Sequence, residues 1–345
     1  MTVLRRGAGR DGRPTLEQVA HRAGVGRGTV SRVINGSPRV SDRTRAAVEQ
    51  AIADLGYVPH RAARALAANR ADAIALVVPE PEARLFAEPY FSAIIRGVSA
   101  ELADTDIQLL LTLSRTPKER QRFAQYAASH RVDGVLLVSV HGEDPLPDQL
   151  SEHGIPAVMN GRRSADESFP HVDCDNLGGA QVAVEHLLGR GRTLVATITG
   201  PRDMYAARCR LDGYQEALRA AGRDGDGDLV VHGDFTEESG YAAMRELLRR
   251  RPALDAVFCA SDLMAAGARR ALREAGRSVP DDVALVGFDD SAIARHMEPA
   301  LTSVRQPMEG MGRAMTRALL AQLNGGTADR VQQVLPTELI RRASS

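Results

Sequence analysis

Only one of the 44 basic side chains is a lysine, Lys118, and that scarcity removes several chemistries at once. No GxxxxGK[ST] phosphate loop is present, and a Schiff-base lysine would have to be this one residue in the stretch TPKER. Cysteine is equally sparse. Cys174, Cys209 and Cys259 are odd in number, widely spaced and form no CxxC, which favours packed or free thiols over a disulfide framework or a zinc knuckle. No apolar run approaches the ~18 residues of a membrane helix, so no membrane partner is expected. The opening MTVLRRGAGRDGRP has arginines but no apolar export segment, and a cytoplasmic location is expected. The nine histidines include no HExxH and no close pair at ligand spacing, and GxSxG is missing. Neither an enzyme nor a bound metal or cofactor is therefore expected.

Two motifs resemble sites without the required context. GAGRDG at 7–12 spells GxGxxG, but no strand of useful length precedes it and Pro14 follows. Asp224, Asp226 and Asp228 have calcium-loop spacing, yet Leu229 replaces the required glycine and Phe235 stands where the bidentate glutamate belongs.

The chain has 345 residues, 43% of them apolar, enough for about two domains with real cores. Its formal charge of 0 conceals an asymmetry. Residues 1–70 carry 13 arginines against 5 acids, a net +8, which leaves −8 for the remainder. A basic module on an acidic body suggests a polyanion partner for one part and a different partner for the other.

The basic module reads as three short helices. Thr15 and Gln18 form a T-x-x-Q capping box, after which Leu16, Val19, Ala20 and Ala23 recur at helical spacing to about Ala23. Gly24 breaks this helix. Val30, Val33 and Ile34 put a second stripe on a helix from about Arg27 to Asn35, ended by Asn35-Gly36. Ser41 caps a third helix with Val48, Ala51, Ile52 and Leu55, closed by Gly56. The small Ala20, the permissive Gly24 and the locking Val30 suit a helix-turn-helix. Any αα-hairpin carries such stripes, but here Arg27, Gly28 and Arg32 occupy the start and outer face of the second helix, where a recognition helix meets the major groove. Arg27 suits either a guanine edge or a phosphate, and Gly28 leaves base reading to its neighbours. Thr15, Thr29 and Asn35 complete the candidates on these two helices. Pro59 ends the third helix, and Arg61–Ala67 is too short to be stable alone. It is either a plain linker or a segment ordered on DNA, with Leu66 as a minor-groove wedge.

The run from Pro14 to Ala67, with its TVSRV core and its Ala65-Leu66-Ala67 hinge, resembles the headpiece of the lactose/galactose repressor family. The resemblance implies base reading by Arg27, Gly28 and Arg32, DNA contacts by His60 and Arg61, and insertion of Leu66 at the operator centre. His60 stands where the family commonly has asparagine.

From residue 73 short apolar runs (AIALVV, IQLLLT, GVLLVS, LVATIT, AVFCA, VALVGF) alternate with longer amphipathic ones. This is a βαβ pattern, with parallel sheets buried on both faces. About 275 residues suit two doubly wound lobes with a ligand between them at the strands' carboxyl ends. The expected architecture is thus an all-α helix-turn-helix headpiece plus an α/β core of two lobes. We expect an arm over 1–13, the headpiece over 14–59, a hinge over 60–70 and the core over 71–345. The lobes should comprise about 71–173 with 305–331, and 174–304 with 332–345.

Polar residues just beyond strand ends are the ligand candidates. Asp289 ends VALVGF and suits sugar hydroxyls, Arg208 offers a planar fork of donors, Ser261 and Asp262 follow AVFCA, and Phe235 offers a ring face. Arg162 and the cluster Phe86, Tyr90 and Phe91 are first-lobe candidates. ASDLMAAG, VALVGFDDS and PALTSVRQPMEGMG extend the family resemblance over essentially the whole chain. It implies a periplasmic-binding-protein-like core and places Arg208, Ser261, Asp289 and Phe235 at effector contacts. GVGRGTVSRVINGSPRVS and GFDDSAIARHMEPALTSVRQP further resemble the actinobacterial regulators of cellulose utilisation, implying cellobiose or a related cello-oligosaccharide as inducer. The nearly lysine-free composition suits a GC-rich genome.

These readings describe a repressor that binds a palindromic duplex operator as a homodimer and leaves it when a small sugar binds. No heptad tail follows QQVLPTEL at 332–339, so a dimer is expected rather than a tetramer. A different sugar or a purine-type corepressor on the same fold is the nearest alternative. A transport binding protein is the further one, and would have no use for the basic headpiece.

Overall fold

The computed structural model describes residues 14–34, 37–57, 70–223, 227–325 and 331–345. The arm over 1–13 and the candidates Asn35, His60, Arg61 and Leu66 lie outside the described residues, as do Asp224 and Asp226. The contacts divide the chain into two compact units, meeting at Asp72 and Ala73.

The described residues of the first unit form three helices: α1 (Leu16–Ala23), α2 (Arg27–Ile34) and α3 (Asp42–Leu55). Each boundary has a local cause. The Thr15 hydroxyl accepts from the Gln18 amide and the Gln18 carboxamide accepts from the Thr15 amide, whereas Ser41 caps α3 on one side only, its hydroxyl accepting from the Thr44 amide. Gly24 and Gly56 end α1 and α3 at φ 66° and 59°. Val19, Ala20, Val30, Val33, Val48 and Ala51 form the shared core, joined by Tyr57. Val19, Val30 and Val48 are fully buried, which stabilises by about 1.5–3 kcal/mol each. Arg22 donates to Asp54 at 2.6 Å and ties α1 to α3.

The second unit contains two six-stranded sheets. The first has the order β11-β5-β4-β3-β1-β2 and the second β12-β10-β9-β8-β6-β7. The first comprises β1 (Ala73–Val78), β2 (Gln108–Leu113), β3 (Gly134–Leu137), β4 (Ala157–Asn160), β5 (His171–Cys174) and β11 (Gln332–Leu335). The second comprises β6 (Val195–Thr199), β7 (Val230–His232), β8 (Ala256–Cys259), β9 (Ala284–Asp289), β10 (Thr302–Arg305) and β12 (Glu338–Ile340). All ladders are parallel except β10 with β12. Every side chain of β1 is buried, as its unbroken apolar run requires.

Three expectations are corrected. The segment 332–339 is two strands rather than one: β11 joins the first sheet beside β5, and the chain crosses at Pro336 and Thr337 to place β12 in the second. Pro336 cannot donate to a ladder, which ends β11 there. Residues 332–335 therefore belong to the first lobe and Arg305, in β10, to the second. Third, β2 is not buried on both faces. It is an edge strand, with Leu110 and Leu111 36% and 47% exposed.

The chain passes between sheets after β5, after β10 and after β11, so both lobes are built from non-contiguous sequence. The helix Met308–Leu323 returns to the first lobe and packs against the helix Pro89–Leu102. That crossing is close enough to need glycine on both sides. A Cβ on Gly97 would stand 2.1 Å from the Glu309 carbonyl oxygen, and one on Gly312 2.4 Å from that of Ile94.

Candidate functional site

On the headpiece, the start of α2 presents Arg27 and Gly28 to solvent, with Thr29 half-buried behind them. Arg27 pairs with Glu17 of α1 at 2.8 Å, and both side chains are largely exposed. Arg32 folds back so that its Nε donates to the Gly28 carbonyl at 3.1 Å. The outward face of Gly28 is otherwise open, since an added Cβ would meet only the Arg32 guanidinium, at 3.9 Å. Thr15 is occupied as the α1 cap. α2 thus offers two guanidiniums flanking a side-chain-free position, a surface suited to close approach by a polyanion.

In the second unit, a cavity opens between the carboxyl ends of the two sheets, the crevice in which such sheets bind ligands. Its centre is Arg210, on the helix Tyr205–Ala220 and 5% exposed. Nε donates to the Asn176 carboxamide at 2.9 Å, Nη1 donates to the Ala260 carbonyl at 2.6 Å, and the guanidinium lies 3.7 Å from the centroid of Phe288. Asp289 ends β9 with its carboxylate 4.0 Å from Arg210 and accepting from the Gln306 amide at 2.6 Å.

The backbone here is strained. Asp289 and Asp290 both have positive φ, 119° and 51°, conformations that cost of order 1–3 kcal/mol each for residues with side chains. They turn β9 so that Asp289 faces the cleft, while Asp290 accepts from Arg305 at 2.7 Å and from Arg342. Burial pushes the Asp289 carboxyl above the usual range, and Arg210 and Gln306 counter part of that rise.

Phe235 also holds positive φ, 73°, and its ring closes one wall over Gly200. A Cβ there would stand 2.1 Å from the ring, so only glycine admits it. From the first lobe, Arg84 approaches the ring face at 5.6 Å while pairing with Glu80 at 2.8 Å and with Glu88. Burial pushes the Glu88 carboxyl up to about 7 despite Arg84. Arg162 donates to Asp173 at 2.9 Å and lies 5.0 Å over the ring of Tyr205 from the opposite lobe. Tyr90 donates to Asn160. Ser291 contributes a buried hydroxyl on the cavity wall with no hydrogen-bond partner among the described residues.

Of the sequence candidates, Tyr90, Phe91, Arg162, Phe235, Ser261 and Asp289 come together around this cavity. Three do not. Arg208 is not among the cavity-lining residues: its Nη2 donates to the Arg163 carbonyl of the first lobe at 2.7 Å, its guanidinium lies 5.4 Å from the ring centre of Tyr205, and its side chain borders a different groove. Two helical residues are separated by about 200°, so Arg208 and Arg210 cannot share a face. Phe86 is 81% exposed, because the short helix Glu82–Ala87 buries its neighbour Leu85 instead. Asp262 is fully buried behind the wall, accepting from the Ser291 amide at 2.7 Å and the Ser303 hydroxyl at 2.6 Å. Ser261 reaches the cavity but also caps the helix Asp262–Glu274.

Sequence reasoning missed Arg210, Asn176, Asp173, Gln306, Tyr205 and Glu88. Asp173 lies within a four-residue strand too short to recognise and Asn176 just beyond it, while Arg210 stands two residues from the candidate Arg208 and Gln306 inside PALTSVRQPMEGMG. Among the described residues no cluster of acidic, histidine or cysteine side chains has metal-binding geometry. All three cysteines are buried and unpaired. No described helix is long and apolar enough to cross a membrane.

A helix-turn-helix with an arginine-bearing second helix, and a separate two-sheet clamp around a polar and aromatic cavity, together define a ligand-responsive DNA-binding regulator. The model for the lacI family of bacterial regulatory proteins matches residues 15–60, and that for a periplasmic binding protein-like domain matches 184–345. The chain belongs to the lacI family. It is 53% identical to the HTH-type transcriptional regulator CelR of Thermobifida fusca over 334 residues, spanning 96% of this chain and 98% of that protein. It is 33% identical to the ribose operon repressor of Escherichia coli K12, over 96% and 99% of the two chains. Among solved structures it is similar to a CelR–cellobiose complex, with TM-score 0.77, 51% identity and 96% and 100% coverage. It is also similar to the lac repressor dimer bound to operator and an anti-inducer, with TM-score 0.85, 27% identity and 96% and 99% coverage.

Proposed function

We propose that this regulator is a cytoplasmic homodimeric repressor, released from a palindromic operator by cellobiose or a related cello-oligosaccharide. The observation that carries the sugar assignment is the cavity itself. Buried, pre-positioned polar groups (Arg210, Asp289, Asn176 and Ser291) face aromatic walls at Phe235 and Tyr205. Sugars present this combination in reverse, with hydroxyls around the ring edge and apolar C–H faces. The similarity to CelR, whose solved complex holds cellobiose, narrows the sugar class. The exposed leucines of edge strand β2 favour a second copy, since an open apolar edge is otherwise an aggregation hazard.

Arg27, Gly28, Thr29 and Arg32 meet the major groove, while sugar between the lobes favours an arrangement in which two headpieces no longer fit one operator. Coupling of about 1–3 kcal/mol is typical, and reciprocity requires operator DNA to weaken sugar binding equally. An operator-shift titration with and without cellobiose tests the reading. Release of DNA is expected. Unchanged binding removes the cello-oligosaccharide assignment, and tighter binding reverses the direction of the switch.

A further inference from the structure

Away from the cavity centre the two lobes touch through a few polar contacts, one of which carries an imidazole. His141 lies in the loop leaving β3 in the first lobe. Its Nδ1 is 2.6 Å from the Asp203 carboxylate, in the second-lobe loop after β6, and its Nε2 is 3.2 Å from Glu80 at the end of β1. The Gly142 amide reinforces the bridge by donating to the Asp203 carbonyl at 2.9 Å.

A neutral imidazole has one N–H and one lone pair, whereas an ionised carboxylate only accepts. With a carboxylate at each ring nitrogen, both contacts are hydrogen bonds only when both nitrogens carry protons. The surrounding groups hold the Glu80 carboxyl below its usual range, against the effect of burial. Arg84 holds the other Glu80 oxygen at 2.8 Å, Ser139 donates to Glu80 at 2.6 Å, and Asp203 is 58% exposed. Of the other charges near the two loops, Asp144 pairs with Arg120 and Arg163 with Asp148 and Glu167, while Glu143 and Arg202 are exposed. The group that changes charge at this contact is therefore His141.

We propose that closing the cleft takes up a proton at His141, so that the clasp across the lobes, and with it the sugar response, depends on pH. This rests on the reading that sugar binds between the lobes. Glu80 first and Asp203 second hold the imidazolium above the ordinary histidine range, outweighing partial burial. Glu80 belongs to the same lobe and stays with His141 when the cleft opens, so only the share of the rise owed to Asp203 is linked to closure, and the clasp weakens as pH rises through the raised value.

Two measurements on the full chain test it. In histidine-labelled protein, the His141 NMR resonance, assigned by its absence in His141→Gln, should titrate at lower pH in Asp203→Asn than in wild type. An unchanged midpoint overturns the clasp. Calorimetry of cellobiose binding near pH 7, in buffers of different ionisation enthalpy, should show net proton uptake in wild type that His141→Gln lowers. Equal uptake in the two proteins overturns the link to sugar. If cellobiose gives no heat in either, the sugar assignment fails while the NMR midpoints still decide the clasp.

Discussion

Arg210 and Arg208 are two residues apart on one helix, and the structure gives them opposite expected phenotypes. Of the five N–H donors of Arg210, one on Nε and one on Nη1 are taken by Asn176 and Ala260, which leaves donors on the cavity side. A hydrogen bond from a charged donor contributes about 1.5–3 kcal/mol, so losing one to a sugar hydroxyl weakens binding about 10- to 150-fold. Arg210→Ala also leaves Asp289 without its counter-charge, and removing one partner of a buried pair costs about 3–5 kcal/mol of stability. Arg210→Met, which retains apolar contact with Phe288, is therefore the companion variant. Arg208 makes one hydrogen bond at the surface, to a carbonyl, so Arg208→Ala should alter sugar affinity by less than about fivefold. The assay is calorimetric titration with cellobiose, alongside operator binding without sugar, which should stay within about twofold of wild type in all three variants. If Arg208→Ala abolishes the sugar response while a folded Arg210→Met retains it, the assignment of the cavity centre is wrong.

Other expectations follow from single contacts. Gly200→Ala drives a methyl group into the Phe235 ring and should cost about 1–3 kcal/mol of stability by overpacking, measured by urea unfolding, with weaker sugar binding. Glu88 keeps its proton up to about 7 in the folded state but ionises near 4.3 when unfolded. It therefore binds more protons in the native chain, and stability falls as pH rises between those values. Urea midpoints for Glu88→Gln should show a shallower decline across that window than wild type, and parallel curves would refute it. Arg27→Ala should weaken operator binding by about 1–3 kcal/mol with relaxed preference at one base pair if Arg27 reads a base, or lower the salt slope by about one if it holds a phosphate.

The headpiece was legible because each of its boundaries is a local event: a T-x-x-Q box at Thr15, glycines at 24 and 56, and a helical apolar stripe facing one small core. Long apolar strands were legible for the same reason. β1 and β9 have continuous runs that only a sheet covered on both sides will bury. What failed depended on distant chain. Nothing local distinguishes β2, an edge strand, from a buried one, because exposure depends on what lies beyond it. The 332–339 segment looked like one strand because the two sheets that divide it at Pro336 are assembled from residues far away. The site failed in the same way at its centre. Strand ends pointed to Asp289, which lines the cavity, but a helix offers two arginines within three residues, and only the packing of Tyr205–Ala220 on the second lobe decides which enters the cleft. Because Tyr214, four residues after Arg210, is fully buried and donates to the Val195 carbonyl at 2.8 Å, the inward face runs through Arg210. Arg208 is carried to the outside, where its guanidinium bonds the Arg163 carbonyl of the opposite lobe. Helical phase fixed by one buried tyrosine thus chooses the cavity's central cation.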